Sequence, residues 1–338
     1  MSKPVHISLE NLVNALLDVD RPLLPKYLYQ LSDLSPGDVA VIEQRWSKIP
    51  SWRRQAIMED IERLGESDSL LSFEALSRFA LKDDDPRVRE VAVRSLWEYE
   101  NPILVDTFLN MMEHDVASEV RAAAALALGK YVYLGEIEEI PETTLHRIED
   151  RLLSLSHSKE EQLVRRRILE TLGFSSRDEI NPLIEKAYRS GDENWIASSL
   201  FAMGRSANER WIPLVEKMFD NTSPTIRLEA VRAAGELEAR NSVPLLMDLI
   251  NDDDEEIRLA AIWSLSQIGG EGVRELLEKV YEESDDDEMY DFIESALDNL
   301  AFTEDLQLFS LIDLPGLDEE GMEDLEEDEY LEFEKDED

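Results

Sequence analysis

A segment that recurs at a fixed interval constrains the fold of this chain more than any other feature. Residues 224–237 read PTIRLEAVRAAGEL, and 31 residues later residues 255–268 read EEIRLAAIWSLSQI. A weaker copy begins at residue 53. The interval stays at 31 residues along the run of Arg165, Ile196, Arg227, Arg258 and Met289. A fixed period of this length indicates one helical unit repeated along the chain.

Each unit is predicted to contain two helices. Prolines at the same interval, Pro182, Pro213 and Pro244, open an upstream helix in three units. Proline suits the first helical turn because its missing N–H would be unpaired there. In the second helix, apolar residues recur one position before the aligned arginine and three, four and seven positions after it. One hairpin cannot bury such a stripe, whereas a stack of hairpins can.

A glycine recurs eight positions after the aligned arginine. We expect this glycine to end the second helix or to allow close packing between helices. The glycines at this position are Gly129, Gly173, Gly204 and Gly235.

The units resemble HEAT repeats, in particular the short bacterial variety related to the repeats of bilin lyases and deoxyhypusine hydroxylases. The pattern that carries the resemblance is an acidic residue followed six positions later by an arginine. It occurs as Asp83 with Arg89, Asp115 with Arg121 and Asp252 with Arg258, while Asn221 precedes Arg227. The resemblance implies an all-α fold, a right-handed α-solenoid of stacked helical hairpins. It also implies that these pairs form a structural ladder between neighbouring repeats.

The chain is predicted to divide into an N-terminal helical cap, residues 1–50, a repeat solenoid, residues 51–302, and a disordered acidic tail, residues 303–338.

The repeat pattern is broken in two ways. The step from Arg121 to Arg165 is 44 residues, and such insertions usually emerge on one face, often the binding face. Ile196 and Met289 replace the arginine, which puts the ladder in doubt there.

Charge limits the partners that the chain can have. The formal net charge is −43; the segment from Thr303 onward holds 17 acids and one lysine, and the rest keeps 60 acids against 33 bases. A field of this sign repels phosphate, so nucleic acid and anionic membrane are excluded as partners, and basic proteins are favoured. No apolar run approaches the length of a membrane span, and no secretory signal is apparent, so a cytoplasmic location is expected.

The sequence contains no recognisable catalytic constellation, and we expect no catalytic residue, metal or cofactor. It has no cysteine, and none of its four histidines is followed by glutamate, the pair that deoxyhypusine hydroxylases use at their iron centre. The aspartate clusters lie between paired helices, where Asp caps a helix N-terminus. A bilin-lyase-like activity stays open, because no diagnostic residue tests it.

Function is therefore sought where the repeats differ, on the outward positions of the second helices. By resemblance these positions line the concave surface, and they carry five bases against four acids. Aromatic and arginine side chains in a groove are favoured anchors for protein partners. The candidate partner-binding residues are Arg94, Leu126, Lys130, Arg167, Phe174, Phe201, Arg205, Arg232 and Trp263. Alternatively, the aromatic rings fill gaps between units; Trp195 is expected in the core.

The predicted function is a non-enzymatic scaffold or adaptor that holds an unidentified protein partner in the concave groove, with basic proteins favoured by the net charge. The acidic tail would capture a basic partner, fold back on the groove arginines or serve only to solubilise the chain. Two alternatives stay open: an enzyme or enzyme subunit of bilin-lyase type, and an acidic chaperone or nucleic-acid mimic for basic proteins. The sequence does not indicate an oligomeric state.

Overall fold

In a computed structural model of the chain, the structure describes residues 7–284 and 287–311. Across these ranges it consists of eighteen α-helices and two short 3-10 helices, without a strand. The described residues form two compact units, which are divided between Leu237 and Glu238 and are called the first and second unit below.

The first unit begins with four helices: α1 Leu9–Leu17, α2 Pro25–Tyr29, α3 Pro36–Trp46 and α4 Ser51–Ser67. Five helical hairpins follow: α5 Glu74–Ala80 with α6 Pro86–Arg94, α7 Pro102–His114 with α8 Ser118–Glu136, α9 Glu142–Ser156 with α10 Gln162–Leu172, α11 Ile180–Tyr188 with α12 Glu193–Arg205, and α13 Ile212–Glu216 with α14 Pro224–Glu236. The second unit has two hairpins: α15 Val243–Leu249 with α16 Glu255–Ile268, and α17 Val273–Glu283 with α18 Asp287–Leu311.

The hairpins stack through their second helices. In the first unit, α4 contacts α6, α6 contacts α8, and the series continues through α10 and α12 to α14. In the second unit, α16 contacts α18 in the same way. This order of contacts confirms the predicted all-α solenoid of stacked hairpins.

The apolar stripe of each second helix forms the core. In α14, for example, Ile226, Ala230, Val231 and Ala234 are all buried, and α6, α8, α10 and α16 bury the same four positions. Trp195 in α12 is an exception: it is only half-buried, whereas the sequence placed it in the core. The reason lies in a cavity beside it, described below.

Aspartates before the second helices act as N-caps, as predicted. The Asp85 side chain accepts hydrogen bonds from the N–H groups of Arg87 and Val88, and that of Asp254 accepts one from Glu256. Such bonds satisfy N–H groups that have no partner within the helix. The third aspartate cluster, near residue 286, lies partly outside the described residues.

The recurring glycines allow close packing rather than a left-handed helix end. A Cβ at Gly173 would lie 2.7 Å from the Cα atom of Ala202 on α12, and one at Gly204 would lie 3.0 Å from the Cα atom of Ala233 on α14. Only a residue without a side chain lets these helix backbones approach so closely.

The inserted residues between Arg121 and Arg165 do not form a protruding loop. They lengthen their hairpin instead, because α8 has 19 residues and α9 has 15, whereas α10 has 11. Gly135 near the end of α8 packs against Leu145 of α9, which joins the two extensions.

The last described helix runs past the predicted boundary of the tail. α18 continues through Thr303 to Leu311, and the Thr303 hydroxyl donates to the carbonyl oxygen of Ser266 at 3.1 Å. The remainder of the predicted tail, residues 312–338, lies outside the described residues.

Candidate functional site

Three of the predicted site residues lie together at outward positions of the second helices in the first unit. The guanidinium of Arg205 on α12 lies 5.3 Å from the ring centroid of Phe174 and 5.0 Å from that of Phe201. Phe174 follows the end of α10, so the contact joins two consecutive hairpins. We call these three residues the aromatic–arginine cluster.

Neighbouring side chains hold the cluster in place. Tyr133 of α8 meets the Phe174 ring edge to face, with centroids 5.8 Å apart. Gly129 lies beneath the same ring, where a Cβ would be 3.4 Å from a Phe174 ring carbon. Glu236 of α14 forms an ion pair with Arg205 at 3.3 Å. All three cluster residues are half-buried, so each is partly packed between hairpins and partly accessible.

The basic side chains along this face are paired with acids of the same unit. The pairs are Arg94 with Glu62 at 2.6 Å and Glu90 at 3.0 Å, Lys130 with Glu100 at 2.9 Å, Arg167 with Glu170 at 2.5 Å, and Arg232 with Glu229 at 3.2 Å. A count of outward residues therefore overstates the basic character of the face, since acids from other positions and other helices compensate it.

One buried carboxylate and two half-buried ones form the centre of this charge network. Glu170 is 3% exposed and accepts a hydrogen bond from the Ser198 hydroxyl at 2.6 Å. Burial raises the pKa of Glu229, and the charge of Glu170 raises it further, while Arg232 and Arg167 lower it by less. Burial likewise raises the pKa of Glu236, against the opposing effect of Arg205.

The remaining two predicted residues are Leu126 and Trp263, and both side chains are partly exposed. Leu126 on α8 is 38% exposed. Trp263 belongs to the second unit, is 39% exposed and lies 6.3 Å from Phe292, centroid to centroid. The structure thus brings together Phe174, Phe201 and Arg205.

The ladder implied by the resemblance is present in the first unit. Arg89 donates to both carboxylate oxygens of Asp115, in the next hairpin, and to the carbonyl oxygen of Asp83, in its own. Arg121 repeats the arrangement with Glu160 and the Asp115 carbonyl. Burial raises the pKa of Asp115, but hydrogen bonds from Arg89 and from the Ala117 N–H outweigh this effect and lower it.

Sequence reasoning missed a cavity between α9, α10, α11 and α12. It encloses about 210 Å³ and is bordered by the ladder arginine Arg165 and by Trp195. The signal for it was Ser190, which occupies the acidic position of the repeat before Ile196 and so removes the expected partner of Arg165.

Two further observations concern metal-binding groups and membrane-spanning helices among the described residues. Within residues 7–284 and 287–311, no group of three or more histidine, aspartate and glutamate side chains is arranged to hold a metal ion. In the same ranges, no helix combines the length and apolar character that crossing a membrane requires.

Three solved structures are similar to the chain. YibA of E. coli is 16% identical, with 83% of this chain and 98% of that chain covered and a TM-score of 0.41. The complex of CpcE and CpcF of phycocyanin lyase from Nostoc sp. PCC7120 is 18% identical, with coverages of 67% and 94% and a TM-score of 0.45. Human deoxyhypusine hydroxylase in complex with glycerol is 18% identical, with coverages of 77% and 95% and a TM-score of 0.34.

No curated protein sequence matches the chain. The family model described as HEAT repeats matches it in two regions, residues 73–141 and 212–297. These regions contain stacked hairpins and, in the first of them, the Arg89–Asp115 rung. Residues 73–141 and 212–297 are therefore HEAT repeats.

Proposed function

We propose that the chain is a non-enzymatic scaffold that binds a protein partner on the outward face of the second helices of the first unit. The observation that carries this proposal is the contact of Arg205 with both Phe174 and Phe201. Arginine and aromatic side chains that are partly buried and well packed supply most of the binding energy at protein interfaces.

The cluster is prepared for binding before a partner arrives. Arg205 is held by two rings and by Glu236, and its buried Nε atom has no hydrogen-bond partner in the structure. A side chain that is already ordered loses little conformational entropy on association, which favours affinity. A partner carbonyl or carboxylate that reaches the guanidinium would add an acceptor to the one that Glu236 already supplies.

The charge network suggests what kind of partner fits. Because the bases on this face are neutralised by neighbouring acids, the face does not repel a basic partner. The net charge of −43 attracts basic proteins over long range and speeds their association. We therefore propose a partner with a basic surface that places an apolar side chain against the two phenylalanine rings.

The experiment is quantitative affinity capture from the source cell with the double variant Phe174→Ala and Phe201→Ala. Any captured protein is then purified and its affinity measured by titration calorimetry. Removing two hot-spot rings should weaken binding by about tenfold or more. Phe302→Ala is the matched control, because Phe302 is 63% exposed and lies in the second unit. Unchanged affinity in a folded double variant would remove the cluster from the binding surface.

A second variant that ends after Leu311 tests the contribution of the acidic C-terminal residues without cutting α18. Retained or enhanced capture would assign recognition to the repeats. Loss of a set of basic proteins, with strong weakening by salt, would instead support the acidic chaperone alternative. Co-purification of a coloured tetrapyrrole in either experiment would favour the bilin-lyase alternative over a scaffold.

A further inference from the structure

The ladder of the first unit loses its rung at Arg165. Arg54, Arg89 and Arg121 each form an ion pair with an acid that follows in the chain. Arg165 has Ser190 where the corresponding acid would be. Its guanidinium forms no ion pair with any described residue, and its Nε atom is buried without a hydrogen-bond partner. Buried polar groups of this kind rarely go unsatisfied in folded proteins.

Arg165 is nevertheless held in one place. Its guanidinium lies over the ring of Trp195, 5.6 Å from the centroid, in a cation–π contact. Trp195 stands near the start of α12, and Arg165 belongs to α10, so the contact joins two consecutive hairpins. It leaves the guanidinium N–H groups available to an acceptor from outside the chain, because a cation–π contact uses the charge and not the donors.

The cavity beside this pair is lined by two chemically different sets of side chains. Arg165 and Lys186 supply positive charge, and Lys186 forms no ion pair with a described residue. The hydroxyls of Ser156 and Ser190 add hydrogen-bonding groups. The cavity of this acidic chain is thus bordered by two cations that form no ion pair with a described residue.

The remaining lining side chains are mostly apolar and include Leu169, Leu183 and Trp195, the last of which also carries the cation–π contact with Arg165. The volume of about 210 Å³ exceeds the roughly 150 Å³ that holds benzene in an engineered cavity, and is below the roughly 300 Å³ at which drug-sized sites begin. The cavity therefore fits one group the size of an amino-acid side chain together with an anionic head.

We infer that this cavity binds a carboxylate attached to a compact apolar group, as at the C-terminus of a polypeptide that ends in leucine. Arg165 would take the carboxylate in a two-point hydrogen bond, Lys186 would add a second charge, and the leucine side chain would lie against Trp195. A ligand that offered only an aspartate or glutamate side chain would leave the apolar lining residues without a contact. A polyanion would be repelled by the net charge of the chain.

The test is titration calorimetry with an acetylated glycine–serine peptide that ends in leucine, as the free acid and as the C-terminal amide. We expect the acid to bind about tenfold more tightly or better, because the amide removes the charge that Arg165 recognises. Arg165→Met should reduce the affinity for the acid to that for the amide. Arg189→Met is the matched control, since Arg189 is a nearby exposed arginine that does not line the cavity, and it should leave the affinity unchanged.

Two more ligands identify the source of the carboxylate. If 4-methylpentanoate alone binds as tightly as the peptide acid, the cavity proposal stands and the natural ligand is a free acid. If inorganic phosphate competes equally well, the carboxylate assignment is wrong. Any of three results would overturn the proposal. They are equal affinity for the acid and the amide, unchanged affinity in a folded Arg165→Met variant, and no binding of any ligand at about 1 mM. Because the cavity does not include the aromatic–arginine cluster, the Phe174→Ala and Phe201→Ala variant should bind the peptide normally, so the two proposals fail separately.

Discussion

Arg89 donates two hydrogen bonds to Asp115, from Nε to one carboxylate oxygen at 2.8 Å and from Nη2 to the other at 2.7 Å. The two side chains are 11% and 10% exposed, and they lie in consecutive hairpins. A planar guanidinium that meets a carboxylate at both oxygens fixes the distance and angle between the two partners. The rung therefore sets how one repeat is stacked on the next.

Replacing Arg89 with methionine should lower the free energy of unfolding by about 3 kcal/mol, because Asp115 then remains buried without its counter-ion. Urea unfolding followed by circular dichroism measures the change. Arg63→Met is the control: Arg63 pairs with Asp60 but is 73% exposed, so its loss should cost less than about 0.5 kcal/mol. Equal effects of the two substitutions would contradict the structural importance of the rung.

Gly173→Ala should destabilise the chain by about 1–3 kcal/mol, because the new Cβ would lie 2.7 Å from the Cα atom and 2.8 Å from the carbonyl oxygen of Ala202. Backbone atoms of a packed helix cannot move away cheaply. The control is Gly65→Ala inside α4, where the nearest atom is a Phe73 ring carbon at 3.6 Å. There the better helix propensity of alanine should stabilise by up to about 1 kcal/mol. Thermal and urea unfolding distinguish destabilisation by Gly173→Ala from stabilisation by Gly65→Ala.

Glu229→Gln should change how stability depends on pH. The raised pKa of Glu229 means that the folded chain binds this proton more tightly than the unfolded chain does. The contribution of Glu229 to the free energy of unfolding therefore falls as the pH rises from the ordinary glutamate pKa of 4.5 through the raised pKa. The buried Oε2 atom has no hydrogen-bond partner, so the substitution should stabilise by about 1 kcal/mol at neutral pH.

The gain should shrink as the pH approaches 4.5, where wild-type Glu229 becomes protonated. Urea unfolding at a series of pH values gives the free energy of unfolding as a function of pH for the wild type and for the variant. The exposed Glu209, changed to glutamine in the same way, should give a curve parallel to that of the wild type. A Glu229→Gln curve that is also parallel would mean that this carboxylate is not perturbed by burial.

Tyr131→Phe should cost about 1–2 kcal/mol of stability, since it removes the hydroxyl that donates to the carbonyl oxygens of Tyr99 and Asn101. Burial, with smaller effects of nearby glutamates, raises the pKa of Tyr131 to about 12. The substitution should therefore remove one late step from the alkaline titration of tyrosine absorbance. Tyr133→Phe, two residues along the same helix and 44% exposed, is the control and should leave stability nearly unchanged. Equal losses in the two variants would argue against the hydroxyl contacts of Tyr131.

Much of the candidate site could not be predicted because it depends on pairs of residues from different helices. Spacing along one helix placed Phe174, Phe201 and Arg205 on an outward face. It could not indicate that Arg205 reaches both rings and Glu236, because that depends on the separation of α10, α12 and α14. The cavity beside Arg165 escaped prediction for the same reason: it arises where a neighbouring repeat lacks an acid.

The sequence by itself determined the helical hairpin and its repetition. The apolar stripe, the capping aspartates and the six-residue spacing from Asp83 to Arg89 act within one helix or one turn, so their geometry follows from the 3.6-residue period and local hydrogen bonding. Only the tertiary structure decided which charges neutralise each other, that Trp195 is half-buried, and that the insertion lengthens α8 and α9. These outcomes depend on how far apart neighbouring helices lie, and a separation between helices is set by the packing of all their side chains together.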